Sequence, residues 1–314
     1  MIEGAFLDHS EINEGRAHTG IVGSSGDEHG EYVAAERKAT QIALDAIRAR
    51  FEGGTVPDHM YYHNSAHTAG VIARARAIGV AMGMSARELL LTVIAAAFHD
   101  IVQQWSPARE EDGSVIRQRH AGRNEVASAH EAVEAMAQLG PAFTSDEQGI
   151  VASAIIGTIP AWDNELATVV QPFLVAHPVV RALALADIGS AGMDPEMYRL
   201  DGPALFAEEN LDVMAALVKA RRADDIPEAD QRAYRERFGG WLKVQAVFAR
   251  GRRESLESGE LDGLEEPARG RVIQLFSRFD ESIEHAERAA AEAETLDFVQ
   301  LMRQLDPRLF PEEP

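Results

Sequence analysis

The chain has 314 residues, of which 46% are hydrophobic and 26% are charged, so it is long enough to bury a sizeable core. Its net charge of −21 argues against a nucleic-acid polymer or an anionic membrane as the main partner, because both repel an acidic surface. The absence of cysteine excludes disulfides, thiolate zinc sites and cysteine nucleophiles. Any bound metal must therefore be held by nitrogen and oxygen atoms.

Neither a secretory signal nor a membrane span is predicted. The first residues, MIEGAFLDHS, lack a basic start followed by an apolar stretch. The longest apolar run, residues 89–98, is too short to cross a bilayer. We therefore expect a soluble, cytoplasmic protein. Residues 1–31 are rich in Gly, Ser, His and acids and show no periodicity, which predicts a mobile N-terminal arm.

Helical periodicity begins near residue 32 and continues along the chain. A second helix is predicted over about residues 64–82, with Asn64 and Ser65 as cap residues. A third follows Ser85, is apolar nearly all round, and is therefore expected to be buried. The apolar residues of the first predicted helix share one side: Ala35, Ala39, Ile42, Ala43, Ala46 and Ile47.

Later segments extend this all-α pattern, and strand-like alternation is scarce. Helices are predicted over residues 145–159 and in HPVVRALALADIGSAG, where Pro178 suits the first turn. We divide the chain into the arm, a core over residues 32–202, and a helical extension over residues 203–314 that packs on the core or forms a lobe. The helix predicted in EVASAHEAVEAMAQL has one apolar face: Val126, Ala129, Val133 and Met136.

Three polar residues follow or interrupt apolar helices, where a carboxylate is costly unless it is paired or bound to a cation. His99 and Asp100 come directly after the apolar run of the third helix. Adjacent residues on a helix diverge by roughly 100°, so both side chains reach one ion only at the helix end. Asp187 lies in the apolar segment VVRALALADIG. A solvent-facing helix end and a core aspartate with several donors are the alternatives.

Two histidines precede this pattern. His63 and His67, in YYHNSAH, are four residues apart, and on a helix they would share a face. Such a pair alone is most often incidental. Together, His67, His99-Asp100 and Asp187 supply two imidazoles and two carboxylates, whose formal charge balances a divalent cation. These nitrogen and oxygen donors favour Mn, Fe, Ni, Co or Mg over a closed structural zinc site.

The order of these residues resembles the HD-domain superfamily of metal-dependent phosphohydrolases, whose signature is a His, a His-Asp doublet and a distant Asp. YHNSAHTAGV is similar to the opening of the cyclic-nucleotide phosphodiesterase motif, and FHDIV resembles the doublet helix of the superfamily. NEVASA, at residues 124–129, is similar to a stretch in smaller bacterial phosphohydrolases. The resemblance covers about residues 61–192. It implies an all-α, HD-domain helical bundle with additional C-terminal helices.

The resemblance also implies roles for individual residues. His67, His99, Asp100 and Asp187 would be the metal ligands. His63 would be the general acid that protonates the leaving oxygen, a task that suits an ordinary imidazole pKa of about 6.5. Glu125 would orient the attacking water, or it would contact a metal ligand without binding the ion directly. A first-turn acid favoured by the helix dipole is the alternative for Glu125.

Further candidates surround these positions. Arg117, Arg119 and Arg123 are predicted to lie on a loop leading to Glu125, where they could clamp a phosphate; a solvated basic loop is the alternative. Asn64 is a further candidate for substrate binding. His120 lies between the His-Asp doublet and Asp187 along the sequence, where a ligand for a second metal could come from. His130 or His177 could supply another such ligand. Trp162, in the loop before the Asp187 helix, could line a pocket or serve in packing.

We therefore expect a phosphohydrolase that uses metal-activated water to cleave a phosphomonoester or phosphodiester bond of a small phosphorylated substrate, with a nucleotide favoured. An HD-type diiron oxygenase is the first alternative. A non-catalytic nucleotide-binding protein with the same fold is the second, and it is disfavoured because every expected ligand is present. The C-terminal helices could form a lid, a homodimer surface or a simple extension of the core.

Overall fold

The computed structural model of the chain describes residues 25–171, 174 and 177–310. Within these ranges the fold is mainly α-helical, as predicted, with two small two-stranded sheets. No helix in the described ranges combines the length and the apolar character that a membrane span requires. Most of the predicted N-terminal arm, residues 1–24, lies outside the described residues. Helix α1 begins at Ser25, so the helical part of the chain starts earlier than the periodicity indicates.

The larger hydrophobic core lies among the first helices. Helix α3 is buried on nearly all sides, as its apolar sequence predicts, and it contacts α1, α2, α5 and α6. On α1 the buried residues recur at the predicted positions Ala35, Ala39, Ala43 and Ile47. The helices of this part are α1 (Ser25–Ile47), α2 (Ser65–Met82), α3 (Ala86–Phe98), α4 (Arg123–Met136), α5 (Ser145–Ile156) and α6 (Pro178–Asp187).

Local capping fixes where these helices begin. Asn64 is the N-cap of α2, as predicted, and its Oδ1 accepts hydrogen bonds from the backbone N–H groups of Ala66 (2.9 Å) and His67 (3.0 Å). Ser85 caps α3 in a reciprocal arrangement with Glu88. Pro178 occupies the first turn of α6, where its missing N–H costs nothing. These caps set the register that brings the polar residues of the three helices together.

Two hairpins interrupt the helices. Strand β1 (Trp105–Arg109) pairs with β2 (Val115–Arg119), and β3 (Ala161–Asp163) pairs with β4 (Thr168–Val170), both antiparallel. The prediction of a loop is therefore wrong for all three arginines, since Arg117 and Arg119 lie on β2 and Arg123 is the first residue of α4. The physical reason is that β2 follows the Asp-Gly turn of its hairpin and begins with two β-branched residues.

The predicted buried face of α4 is confirmed in part, since Ala129 and Met136 are buried and Val133 is partly buried. Val126 is largely exposed, whereas Asn124 and Ser128 are buried. Burial of these polar side chains is tolerated because each bonds the loop that follows α3: Asn124 Oδ1 accepts from the backbone N of Gln104 (2.9 Å), and Ser128 Oγ accepts from that of Val102 (3.1 Å). Tertiary hydrogen bonds therefore extend the buried face of α4 to polar residues that the apolar pattern does not include.

The C-terminal helices pack against the first ones and enclose a second hydrophobic cluster. Helix α11 contacts α2, and α12 contacts α7, α8 and α10. Phe206 and Phe238 lie at the centre of the second cluster. The boundary proposed between residues 202 and 203 falls within α8. The helices are α7 (Ser190–Met193), α8 (Pro195–Glu209), α9 (Leu211–Lys219), α10 (Glu228–Ser255), α11 (Ala268–Leu275), α12 (Phe279–Thr295) and α13 (Phe298–Met302).

Candidate metal centre

Three packed helices bring the four predicted ligands to one place. His67 lies in the first turn of α2, and His99 and Asp100 follow the last residue of α3. Asp187 is the last residue of α6. One potential ligand atom from each of the four side chains lies within 4.8 Å of the other three. The structure therefore forms a buried His/Asp cluster that could hold a metal ion.

The distances within the cluster suit a single ion. Nε2 of His67 lies 3.5 Å from Asp100 Oδ2 and 3.4 Å from Asp187 Oδ1. Nε2 of His99 lies 3.0 Å and 3.5 Å from the same two oxygens. Ligands bound at about 2.1 Å are separated by roughly 3.0 Å in octahedral geometry and by roughly 3.4 Å in tetrahedral geometry. Two of the observed separations lie in this range, and the two of 3.5 Å exceed it by about 0.1 Å.

The hydrogen bonding of the imidazoles also fits a metal. Nδ1 of His99 bonds the backbone O of Ala96 (2.8 Å), which places the ring hydrogen on Nδ1 and leaves a lone pair on Nε2. Nε2 of both His67 and His99 is enclosed by protein and makes no hydrogen bond. Enclosed nitrogen atoms without partners are costly, and a cation between them and the carboxylates would satisfy both.

Without an ion, the two imidazoles and two carboxylates shift each other's pKa. Burial alone would lower the pKa of His99, but the carboxylates of Asp100 and Asp187 raise it well above its usual value. Burial would likewise raise the pKa of Asp100, but the neighbouring histidines hold it well below its usual value. The pKa of Asp187 is lowered for the same reason. Without an ion the cluster thus keeps its carboxylates ionised and favours protonated imidazoles, and a metal ion would displace those protons.

Two glutamines orient the carboxylates. Gln103 Nε2 donates to Asp100 Oδ1 (2.8 Å), and Gln171 Nε2 donates to Asp187 Oδ2 (2.9 Å). Both glutamines are buried. In each aspartate, therefore, one oxygen is held by an amide while the other faces the imidazoles. Such supporting hydrogen bonds fix the direction of a metal ligand and tune its affinity.

Arg119 lies at the edge of the cluster and joins it to Glu125. Its Nη2 is 3.6 Å from Asp100 Oδ1 and 3.6 Å from Glu125 Oε1, while its Nε donates to Gln103 Oε1 (2.9 Å). Glu125 is buried, and its Oε2 accepts from the backbone N of Gly122 (2.5 Å). The Glu125 side chain thus caps α4 and contacts a residue beside the aspartate.

His63 lies beside the cluster in the bend that precedes α2, so it does not share a helix face with His67. The two ring centroids are 6.0 Å apart. Nδ1 of His63 contacts Oε1 of Glu208, and Oε2 of Glu208 accepts from the backbone N–H groups of Tyr62 (2.9 Å) and His63 (3.0 Å). Burial would raise the pKa of Glu208, but His63 and these hydrogen bonds lower it to about 2.

Several other candidate residues have different surroundings. Arg117 is buried, stacks on Trp105, and donates to backbone oxygens that include that of Glu208 (2.9 Å). Arg123 is exposed.

Asn64 uses its side chain to cap α2 and to bond the backbone O of Tyr61 (2.6 Å). His120 Nε2 contacts Ser106 Oγ (2.8 Å), and His120 is not a member of the four-residue cluster.

Three supporting residues were not predicted. Gln103 and Gln171 are uncharged, and no spacing rule connects them to the aspartates that they contact. Gln103 lies only three residues after Asp100, so its position after the His-Asp doublet was a signal that could have been used. Glu208 is 145 residues from His63 along the chain. Its contact depends on the packing of α8 and leaves no local pattern.

Comparisons of the chain with protein-family models, with curated proteins and with solved structures found no match.

Proposed function

We propose that this protein is a metal-dependent phosphohydrolase that cleaves a phosphoester bond of a small substrate. The observation that carries this proposal is the buried cluster of His67, His99, Asp100 and Asp187, whose imidazole Nε2 atoms have no hydrogen-bond partner. The resemblance of the same residues to the HD-domain superfamily of phosphohydrolases supports it. The nitrogen and oxygen donors favour Mn, Fe, Ni, Co or Mg.

The four ligands would hold the ion, and the surrounding residues would act on the substrate. The chemistry that a bound divalent ion supplies is polarisation of a phosphoryl oxygen and acidification of water. His63 is suited to protonate the leaving oxygen, because the ionised Glu208 engages Nδ1 and no described residue bonds Nε2. Arg119 is suited to contact a phosphate oxygen, because its guanidinium lies beside Asp100 and is partly exposed.

Metal analysis of the purified full-length chain, followed by assays of phosphoester hydrolysis, tests the proposal. The substrates are mononucleotides, nucleoside triphosphates and cyclic nucleotides, each assayed with added Mn, Co, Ni or Mg. We expect one ion per chain and metal-dependent hydrolysis. Asp100→Ala is expected to lose both. Asp280→Ala is the matched control, because Asp280 lies on the surface of α12 with its side chain 85% exposed.

Each outcome has a definite reading. Metal binding with hydrolysis in the parent chain and in the control, but not in Asp100→Ala, supports the proposal. Two irons per chain with oxygen consumption and no hydrolysis would favour the diiron oxygenase instead. Hydrolysis that persists in Asp100→Ala, or a chain that binds no metal, contradicts the assignment of the cluster.

A further inference from the structure

A second feature adjoins the metal centre: a cavity of about 470 Å³ on the side of Tyr62. The ring of Tyr62 lies 4.5 Å from that of His67 and 4.8 Å from that of His63, measured between centroids. Ile188, directly after Asp187, also lines the cavity, as does Glu209, directly after Glu208. The cavity therefore borders the segments that carry the metal ligands and His63.

The walls of the cavity are mostly apolar and aromatic. Trp162 lines it from the β3–β4 hairpin, in agreement with one of the two alternatives given for this residue. Trp241, Val244 and Phe248 line it from α10. Trp162 is 58% exposed and Val244 is 50% exposed, which is costly for large apolar side chains in water. Exposed apolar surface around a cavity is typical of a binding site for an organic group.

Among the polar groups of the cavity, the two carboxyl groups have acceptor oxygens that no described protein donor occupies. Asp201 and Glu209 line it, and no described residue that lines it is positively charged. Asp201 bonds Ser190, but its Oδ2 is enclosed and has no partner. No described residue donates a hydrogen bond to the Glu209 carboxylate. Burial and the neighbouring charge of Glu208 raise the pKa of Glu209 to about 7. Each acid therefore has a carboxyl oxygen that no described protein group bonds, and a ligand could donate a hydrogen bond to it.

We propose that this cavity binds the organic group of the substrate, and that this group is an aromatic ring carrying an amino substituent. The inference rests on the proposed function, which places the phosphate at the metal centre. Acidic walls repel a phosphate, so the charged end of the substrate is directed to the ion and Arg119. The ring packs between Trp162 and the aromatic residues of α10, and its amino N–H groups donate to Asp201 and Glu209.

Calorimetric binding of two uncharged nucleosides tests this inference without any catalytic step. Adenosine carries an amino group on its ring, and purine riboside lacks only that group. We expect the full-length chain to bind adenosine at least about tenfold more tightly, because the amino group completes hydrogen bonds to ionised or buried acceptors. Asp201→Asn and Glu209→Gln are each expected to reduce this preference by about fivefold.

A cavity-filling substitution tests the location. Val244→Trp is expected to weaken adenosine binding at least about tenfold by occupying the space of the ring. Val80→Trp is the matched control, because Val80 is also a half-exposed helical valine, at 54%, but lies on α2 outside the cavity. Metal content and the circular dichroism of both variants show whether they remain folded with an intact metal centre.

The inference is overturned if neither nucleoside binds, if the two bind equally, or if Val244→Trp and Val80→Trp behave alike. Its failure is distinguishable from failure of the proposed function. Metal-dependent hydrolysis of p-nitrophenyl phosphate without nucleoside binding removes the cavity assignment and keeps the phosphohydrolase. Nucleoside binding without any metal or hydrolysis keeps the cavity assignment and removes the phosphohydrolase.

Discussion

Gln171 donates a hydrogen bond of 2.9 Å to Oδ2 of Asp187, and this leaves Oδ1 of the same carboxylate facing His67 and His99. Gln103 does the same for Asp100. The two glutamines come from different segments, one three residues after the His-Asp doublet and the other directly after β4. The carboxylates are thus directed from outside the cluster, independently of any ion.

The first prediction concerns this orientation. Gln171→Ala is expected to weaken metal affinity by about 10- to 100-fold, because Asp187 loses the donor that fixes its rotation. Affinity is measured by competition with a chelator of known strength. Gln118→Ala, at an exposed position of β2, is the control and should leave the affinity unchanged. Equal affinities in the two variants would show that the glutamine does not support the site.

The second prediction concerns Glu208. Glu208→Gln is expected to reduce turnover by at least about tenfold while leaving the metal content unchanged. The carboxylate of Glu208 uses one oxygen for the His63 ring and the other for two backbone N–H groups, whereas an amide has only one acceptor oxygen. His63→Asn should cause a similar loss. Since both side chains act as one unit, the double variant should lose little more than either single variant. Additive losses would mean that the two residues act separately.

The third prediction concerns Glu209 and pH. Because its pKa in the folded chain is raised from 4.5 to about 7, the folded state favours the protonated acid. The resulting stability is fully present below pH 4.5 and is lost as the pH rises through about 7, a difference of roughly 3 kcal/mol. Glu209→Gln cannot ionise, so it should be more stable than the parent chain at pH 8 and similar to it at pH 5.

Urea unfolding at the two pH values measures this effect. Glu228→Gln is the control, because its side chain is 91% exposed and should change stability little at either pH. If Glu209→Gln has the same stability relative to the parent chain at pH 5 and pH 8, the carboxyl group does not titrate differently on folding.

The fourth prediction concerns Gly251 on α10. A Cβ atom at this position would overlap the backbone oxygen of Leu166 and lie 2.9 Å from Cβ of Thr168, so the β3–β4 hairpin would have to move. Gly251→Ala is expected to lower the free energy of unfolding by about 1–3 kcal/mol. Gly239→Ala, on the same helix with open space around it, should instead be neutral or stabilising by up to about 1 kcal/mol. Thermal unfolding of both variants separates the two effects.

Much of the architecture could be predicted because its causes are local. The N-cap at Asn64, the capped start of α3 and the proline in the first turn of α6 are all short-range patterns. The four-residue cluster could also be predicted, because buried carboxylates in apolar helices require partners. It stays a prediction that those partners include an ion, that Arg119 binds a substrate, and that Glu125 orients the attacking water or supports the ion.

The remaining features depend on contacts between distant segments. The apolar pattern of α4 predicted the burial of Ala129 and Met136 but not the exposure of Val126, because Asn124 and Ser128 are also buried through hydrogen bonds to a loop. The role of α8 is similar. Its last two residues, Glu208 and Glu209, are adjacent in sequence, yet one contacts His63 and the other lines a cavity. Only the packed structure gives neighbouring identical residues such different surroundings.

The placement of the ligands on α2, α3 and α6 has a mechanical consequence. Asp187 on α6 is separated along the chain from His99 and Asp100 by two hairpins and two further helices, so an ion at the centre would act as a cross-link between distant segments. Closing such long loops is entropically costly for an unfolded chain, and a cross-link present only in the folded state shifts the balance towards folding. The free energy of unfolding would then increase with the concentration of the ion.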